Sequence, residues 1–229
     1  MIDVAAVVVP AHNEEALLAS CLAAVRRAAV RCGIPVHVVV VADACTDRTA
    51  AVATAAGAQV VHIEARSVGA ARAAGFAEAL RLTSGADPAR TWLATTDADT
   101  IVPPPWLRRQ ARYAARGFDL VLGTVTVRHW AGHPPHVAVA FAERYHSGPG
   151  PHPHVHGANL GIRASAYRAA GGFRDLRTAE DHALLAAATQ AGCRILRAGD
   201  VSVETSARRH ARAPDGFSGF LLALGGRSA

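Results

Sequence analysis

Asp97-Ala98-Asp99 closes an apolar run that begins at Thr91. Two carboxylates spaced i, i+2 at a strand end can hold a Mg²⁺ or Mn²⁺ ion while a nucleoside diphosphate supplies further oxygens. Two other apolar runs end in polar groups of the same kind, Pro10-Ala11-His12-Asn13-Glu14 and Ala42-Asp43-Ala44-Cys45-Thr46-Asp47. In open α/β sheets, ligands sit beyond the carboxyl ends of the strands. Carboxylates placed there suit a nucleobase, ribose hydroxyls and a hard divalent cation. No G-x-G-x-x-G follows the first run, which disfavours a dinucleotide fold. Taken alone, each acidic turn also has a plain structural explanation, so their joint occurrence carries the argument.

Further along, Glu180-Asp181 forms an adjacent acid pair. Like-charge repulsion raises the pKa of one member of such a pair and suits it to proton pick-up. The same pair fits the dipole at a helix N-terminus after Thr178, and the two roles are compatible. Residues 129–156 hold seven of the twelve histidines. His152, His154 and His156 alternate, so an extended segment points all three to one side. Zinc would need a carboxylate or Cys nearby, and the spacing matches no familiar metal motif, so an acceptor-side loop is the expectation. A basic segment, Arg208-Arg209-His210-Ala211-Arg212, follows near the C-terminus.

These residues need elements to position them. Val4–Val9, Val36–Val41, Gln59–Ile63 and Thr91–Thr96 are short apolar runs that predict strands. Between them, helices are expected from Asn13 to about Ala29, from a Thr46 or Asp47 cap through Ala56, and from Ser67 to about Leu82. Alternation of helices with continuous apolar strands predicts a mostly parallel α/β sheet covered on both faces. Beyond Asp99 the expected elements are a helix from Trp106 to Arg116 and a half-buried strand from Asp119 to Arg128. A helix around Val137–Tyr145, a short strand at Gly157–Arg163 and helices at Ala164–Ala170 and Ala179–Ala191 complete the expectation.

Composition narrows the chemistry. All 24 basic residues in this 229-residue chain are arginine, against 18 acids. Without lysine there is no Schiff-base lysine, pyridoxal-phosphate anchor or phosphate-loop lysine. The hydrophobic share of 51% includes 52 alanines, so the chain is rich in small residues rather than membrane-like. No apolar run reaches the ~18 residues of a membrane span, and the first residues lack the basic start of a signal peptide. Cys21, Cys32, Cys45 and Cys193 show no paired spacing and suit a reducing, cytoplasmic location. Residues 1–107 carry 8 Arg and 10 acids, whereas 108–229 carry 16 Arg and 8 acids. The second half therefore attracts anions. Nucleic acid is not expected, because the arginines are not interleaved with aromatics.

The motifs also come in a fixed order. After the three strand-end motifs and Val68-Gly69-Ala70-Ala71-Arg72 come Gly157-Ala158-Asn159-Leu160-Gly161-Ile162-Arg163, Gly171-Gly172-Phe173 and Glu180-Asp181. This series resembles the family 2 glycosyltransferases, over about residues 5–190. The resemblance implies a GT-A fold in one domain over 1–213. Residues 1–100 would form the nucleotide-binding half and 101–213 the acceptor half, followed by an apolar tail at 214–229. It implies a nucleoside-diphosphate sugar of UDP or GDP type, with Mn²⁺ or Mg²⁺ as cofactor. The acceptor would be a small-molecule or lipid-linked hydroxyl, with an anionic one favoured by the basic half. The resemblance implies transfer with inversion, and a single sugar would be moved, since the Gln-x-x-Arg-Trp motif and transmembrane helices of processive members are absent.

Residue by residue, the resemblance places Pro10, Ala11 and Glu14 along the nucleoside and Asp43 on the base, with Arg72 near the base or phosphate. Asp97 and Ala98 would line the donor, with Asp97 facing the ribose, and Asp99 would coordinate the cation. Asp181 becomes the general base, with Asn159, Arg163 and Glu180 on the acceptor side. His210 would complete the metal shell, and Arg208, Arg209 or Arg212 would contact the diphosphate. Ala42 stands where the family often has a second acid. The tail from Gly216 to Leu224 is expected to pack on the domain or in a homodimer rather than on a membrane. A nucleotidyltransferase of similar fold and a non-catalytic sugar-nucleotide-binding protein remain as alternatives.

Overall fold

Pro10 removes one donor from the first strand without ending it, because the strand runs on to Ala11 as β1 (Val4–Ala11). With β2 (Val36–Asp43), β3 (Gln59–Ile63) and β4 (Thr91–Thr95) it forms a parallel group. The computed structural model describes residues 1–130, 132–145, 148, 150–208 and 217–225. The connecting helices are α1 (Leu18–Cys32), α2 (Thr49–Ala55) and α3 (Val68–Leu82). Ser67 caps α3 as expected, its hydroxyl accepting from the Ala70 amide.

The α1 start differs from the sequence expectation. Asn13 takes a positive φ of 53°, which breaks the backbone before Glu14 and Glu15 can join the helix, so α1 begins at Leu18 with no acid in its first turn.

After β4 the chain makes β5 (Thr100–Ile101), α4 (Trp106–Ala115), β6 (Leu120–Thr126) and α5 (Pro135–Arg144). A 3₁₀ turn at Gly157–Asn159 leads into β7 (Leu160–Arg163), α6 (Ala164–Ala169), α7 (Glu180–Gln190), β8 (Ile195–Thr205) and α8 (Phe217–Gly225). The strand order is β3-β2-β1-β4-β7-β6-β8-β5. β7 is antiparallel to both neighbours, and β6 runs parallel to β8. The expected half-buried strand at 119–128 is corrected: β6 is buried from Leu120 to Val125, because helices cover both faces.

One core lies between the sheet and α1, α2, α4, α5 and α8, and the other between the sheet and α3, α6 and α7. Trp92, Trp106 and Phe76 are the largest fully buried side chains, each removing enough apolar area to stabilise the fold by about 2–3 kcal/mol. The apolar C-terminal segment docks on the domain as α8, with Leu221 and Leu224 buried against α5. Among the described residues, no helix is long and apolar enough to cross a membrane.

Candidate functional site

The carboxyl ends of β1, β2, β3 and β4 lie side by side, and each passes into a tight polar loop. Asn13, Ala44 and Arg66 take positive φ values of 53°, 49° and 50° in the first three of these loops. Non-glycine residues persist in that region only where surrounding contacts hold them, and such strain gathers at functional sites. Asp43 supplies part of the hold. It is buried at the end of β2, and its two oxygens accept from the amides of Ala65, Arg66 and Ser67, each at 2.8 Å. Pro10 and Ala11 sit opposite Val41 and Ala42 in the register, at the floor of the same edge.

Two acids and one guanidinium meet beyond β1 and β4. Glu14 and Asp99 have side chains only 6% and 7% exposed. Both grip Arg208, whose Nη1 donates to Glu14 Oε1 at 2.7 Å and whose Nη2 donates to Asp99 Oδ2 at 2.5 Å. The topology accounts for this meeting. Thr100 and Ile101 pair with Thr205 and Glu204, so the chain leaving β8 passes directly over the Asp97-Ala98-Asp99 turn. Burial, together with the nearby Asp97 and Glu14 charges, pushes the Asp99 carboxyl up to about 6 although Arg208 opposes the shift. Ala98 is buried in the turn itself.

Asp97, with its side chain 36% exposed, points its Oδ1 at Arg72 Nη2, 2.6 Å away. Arg72 is buried on α3, and its other arm pairs with the Oε1 of Glu180 at the start of α7. Its Nε donates to Thr95 Oγ1 at 3.4 Å. Burial raises the pKa of Glu180, with Asp181 adding to the rise and Arg72 opposing it. Asp181 accepts from the Gly157 amide at Oδ2 and from the His182 amide at Oδ1, both at 2.8 Å.

The structure thus brings Glu14, Asp97, Asp99, Arg72, Glu180 and Asp181 into one linked set and leaves two expected residues out. Asn159 is corrected from an acceptor-side to an interior residue. It is fully buried, donates to the carbonyls of Thr124 and Val201 and accepts from Trp106 Nε1. Arg163 is corrected to a partly buried position at the opposite, amino end of the sheet, because it pairs with Trp92 near the amino end of β4 and bonds to Asp119 and the Ala89, Ala114 and Phe118 carbonyls. Glu180 and Asp97 are the two carboxylates on Arg72. His210, Arg209 and Arg212 lie outside the described residues.

Sequence reasoning missed Gly157 as a backbone donor to Asp181. A lone arginine within the alanine-rich stretch Ala70–Ala74 was the available signal for the buried pair, since a buried guanidinium requires anionic partners.

The alternating histidines do point to one side. His152, His154 and His156 stack with ring centroids 5.7 and 5.8 Å apart, and His154 lies flat on Tyr145 at 3.9 Å. Among the described residues, no group of three His, Cys, Asp or Glu side chains is gathered for a metal ion.

A mostly parallel sheet flanked by helices, with a carboxylate turn at its carboxyl edge, is the GT-A architecture of nucleotide-sugar enzymes. Solved structures share it. S. aureus TarS 1–349 in complex with UDP-GlcNAc has a TM-score of 0.66 at 16% identity, covering 95% of this chain and 62% of that one. The mannosyltransferase PcManGT from Pyrobaculum calidifontis, in complex with GDP-Man and Mn²⁺, has a TM-score of 0.65 at 20% identity, covering 91% and 58%. Glucosyl-3-phosphoglycerate synthase from Mycobacterium tuberculosis, with Mg²⁺ and UDP, has a TM-score of 0.56 at 19% identity, covering 91% and 72%. The chain therefore spans less than two thirds of the length of the first two. Residues 6–171 match the model of Glycosyl transferase family 2, and the chain belongs to that family. No curated protein matches its sequence significantly.

Proposed function

We propose that the protein transfers one glycosyl group, with inversion, from a nucleoside-diphosphate sugar to an acceptor hydroxyl. The observation that carries this reading is the linked set at the carboxyl edge, in which Arg72 joins the turn bearing Asp97 and Asp99 to the helix bearing Asp181. Family membership supports it, and so do fold neighbours that bind UDP-GlcNAc, GDP-Man and UDP. The same membership weighs against a nucleotidyltransferase.

The acids fit a divalent cation. Glu14 and Asp99 already converge on one positive group, so the position demands a cation, and carboxylate oxygens match hard ions such as Mn²⁺ and Mg²⁺. Asp99 would hold the ion. When bound, such an ion neutralises charge building on the departing nucleoside diphosphate. Asp97 would accept from ribose hydroxyls, and Pro10, Ala11 and Asp43 would border the nucleobase. Asp181, steadied by two amide donors, would take the proton of the acceptor hydroxyl as that oxygen attacks the anomeric carbon.

Incubating UDP- and GDP-sugars with Mn²⁺ and measuring nucleotide release tests the reading. Turnover is expected with one of the two nucleotides, and Asp181→Asn should lower kcat by about 10³-fold. Transfer by Asp181→Asn at the wild-type rate would remove Asp181 from the reaction.

A further inference from the structure

We propose that Arg72 is a positioning residue that sets the base Asp181 against the donor end of the sheet by gripping Asp97 and Glu180 together. This rests on the transfer reading above. Four separate segments meet at its guanidinium, whose side chain is 4% exposed. They are α3, which carries it; the Asp97 turn; the first residue of α7; and the turn at Gly157. Gly157 packs so closely that a Cβ there would overlap the guanidinium carbon. The Gly157 amide is one of the two donors that hold Asp181.

Asp181 is therefore fixed from both flanks through one side chain. On one flank, Gly157 lies against the guanidinium and donates to Asp181 Oδ2. On the other, Glu180, the residue before the base, is bonded to the same guanidinium. Ala179 opens α7 with a φ of 60°, a conformation that an alanine holds only when its neighbours are tied down. Among the described residues no side chain caps that helix start, and the Glu180–Arg72 and Asp181–Gly157 contacts anchor it. Asp97 faces both Arg72 and the open end of the sheet, so a donor resting on Asp97 and the base on α7 share one rigid link. Arginine suits the task because its planar fork addresses two carboxylates at fixed angles, whereas lysine presents a single point charge.

A merely stabilising ion pair would lower overall stability and leave kinetics per folded molecule unchanged. A positioning residue shifts kcat and loosens the base locally.

The test combines amide hydrogen exchange with steady-state kinetics on the full chain. In Arg72→Gln, exchange at the Gly157 and His182 amides should rise at least about tenfold while β1 and β4 stay protected. The kcat per folded molecule should fall about 100-fold, the cost of small misplacement. Glu180→Gln should lower kcat with the donor KM little changed, and the double variant should be no worse than Arg72→Gln, since both act through one contact. Arg72→Lys should recover stability without recovering kcat. Wild-type exchange at Gly157 and His182 in Arg72→Gln, or losses that multiply in the double variant, would overturn the proposal. If Arg72→Gln does not fold, Glu180→Gln decides: unchanged kcat and unchanged His182 exchange count against it. If the wild type transfers nothing, the transfer reading falls while the exchange measurement still judges the positioning role.

Discussion

Arg208 shows how one side chain answers the charge of two others. Its guanidinium lies between Glu14 and Asp99, two nearly buried carboxylates that need a positive partner. A divalent ion arriving at Asp99 must displace that arm. Arg208→Gln should therefore tighten Mn²⁺ binding in the absence of nucleotide, by about tenfold to 100-fold, the worth of one charged hydrogen bond. Calorimetry at pH 8, where the Asp99 proton has left, measures this, and weaker Mn²⁺ binding in the variant would sink the competition. At this scale the sequence was informative about acids at strand ends and poor about everything whose side chain turns inward. Asn159 and Arg163 are polar residues in a motif-like stretch, yet one crosslinks β6, β8 and α4 and the other closes the far edge of the sheet. Residue type and spacing do not reveal which way a side chain turns at either end of a short buried strand.

Elements explain why these residues meet. β8 escaped sequence reading because Gly199 and Asp200 interrupt its apolar pattern, and the register with β6 shifts at the same level. Its pairing with β5 nevertheless delivers Arg208 to Asp99. The segment 152–156 packs through its own side chains. Its stacked histidines press on Tyr145, whose hydroxyl lies 2.8 Å from His156 Nε2 and accepts from the Val125 amide. Burial first, and the neighbouring His154 and His152 next, lower the His156 pKa to about 4 against an opposing pull from Asp181. Because this folded value lies below the ordinary 6.5 of a free imidazole, the unfolded chain takes up its proton first as pH falls. Stability from this residue is present above pH 6.5 and drains away as pH drops toward 4. Urea unfolding at pH 7, 5.5 and 4.5 should show the stability advantage of wild type over His156→Gln shrinking by about 1–3 kcal/mol. A constant difference across that range would mean that His156 carries a proton in the folded state as well.

The whole molecule joins two halves of unlike legibility. Residues 1–95 alternate strand and helix with local caps and turns, so periodicity alone recovers β1 to β4 and α1 to α3. Beyond them, the antiparallel insertion of β7 between β4 and β6 depends on long-range pairing that no local window contains. The family match ends at residue 171, before Glu180, Asp181 and Arg208, yet those residues complete the set that begins at Glu14. A ligand spanning this edge thus stabilises contacts drawn from both halves at once and reports on global unfolding. At about 100 times its dissociation constant, a ligand selective for the native state adds about 2.7 kcal/mol. For a chain of this size that corresponds to a rise of about 5–10 °C in Tm. UDP or GDP at that excess, with Mn²⁺ present, should produce the shift in wild type. In Asp99→Ala the nucleotide should retain a smaller shift, and adding Mn²⁺ should not enlarge it. If Mn²⁺ enlarges the shift equally in both proteins, the cation sits away from Asp99, and the carboxylate turn loses its assigned part in holding the donor.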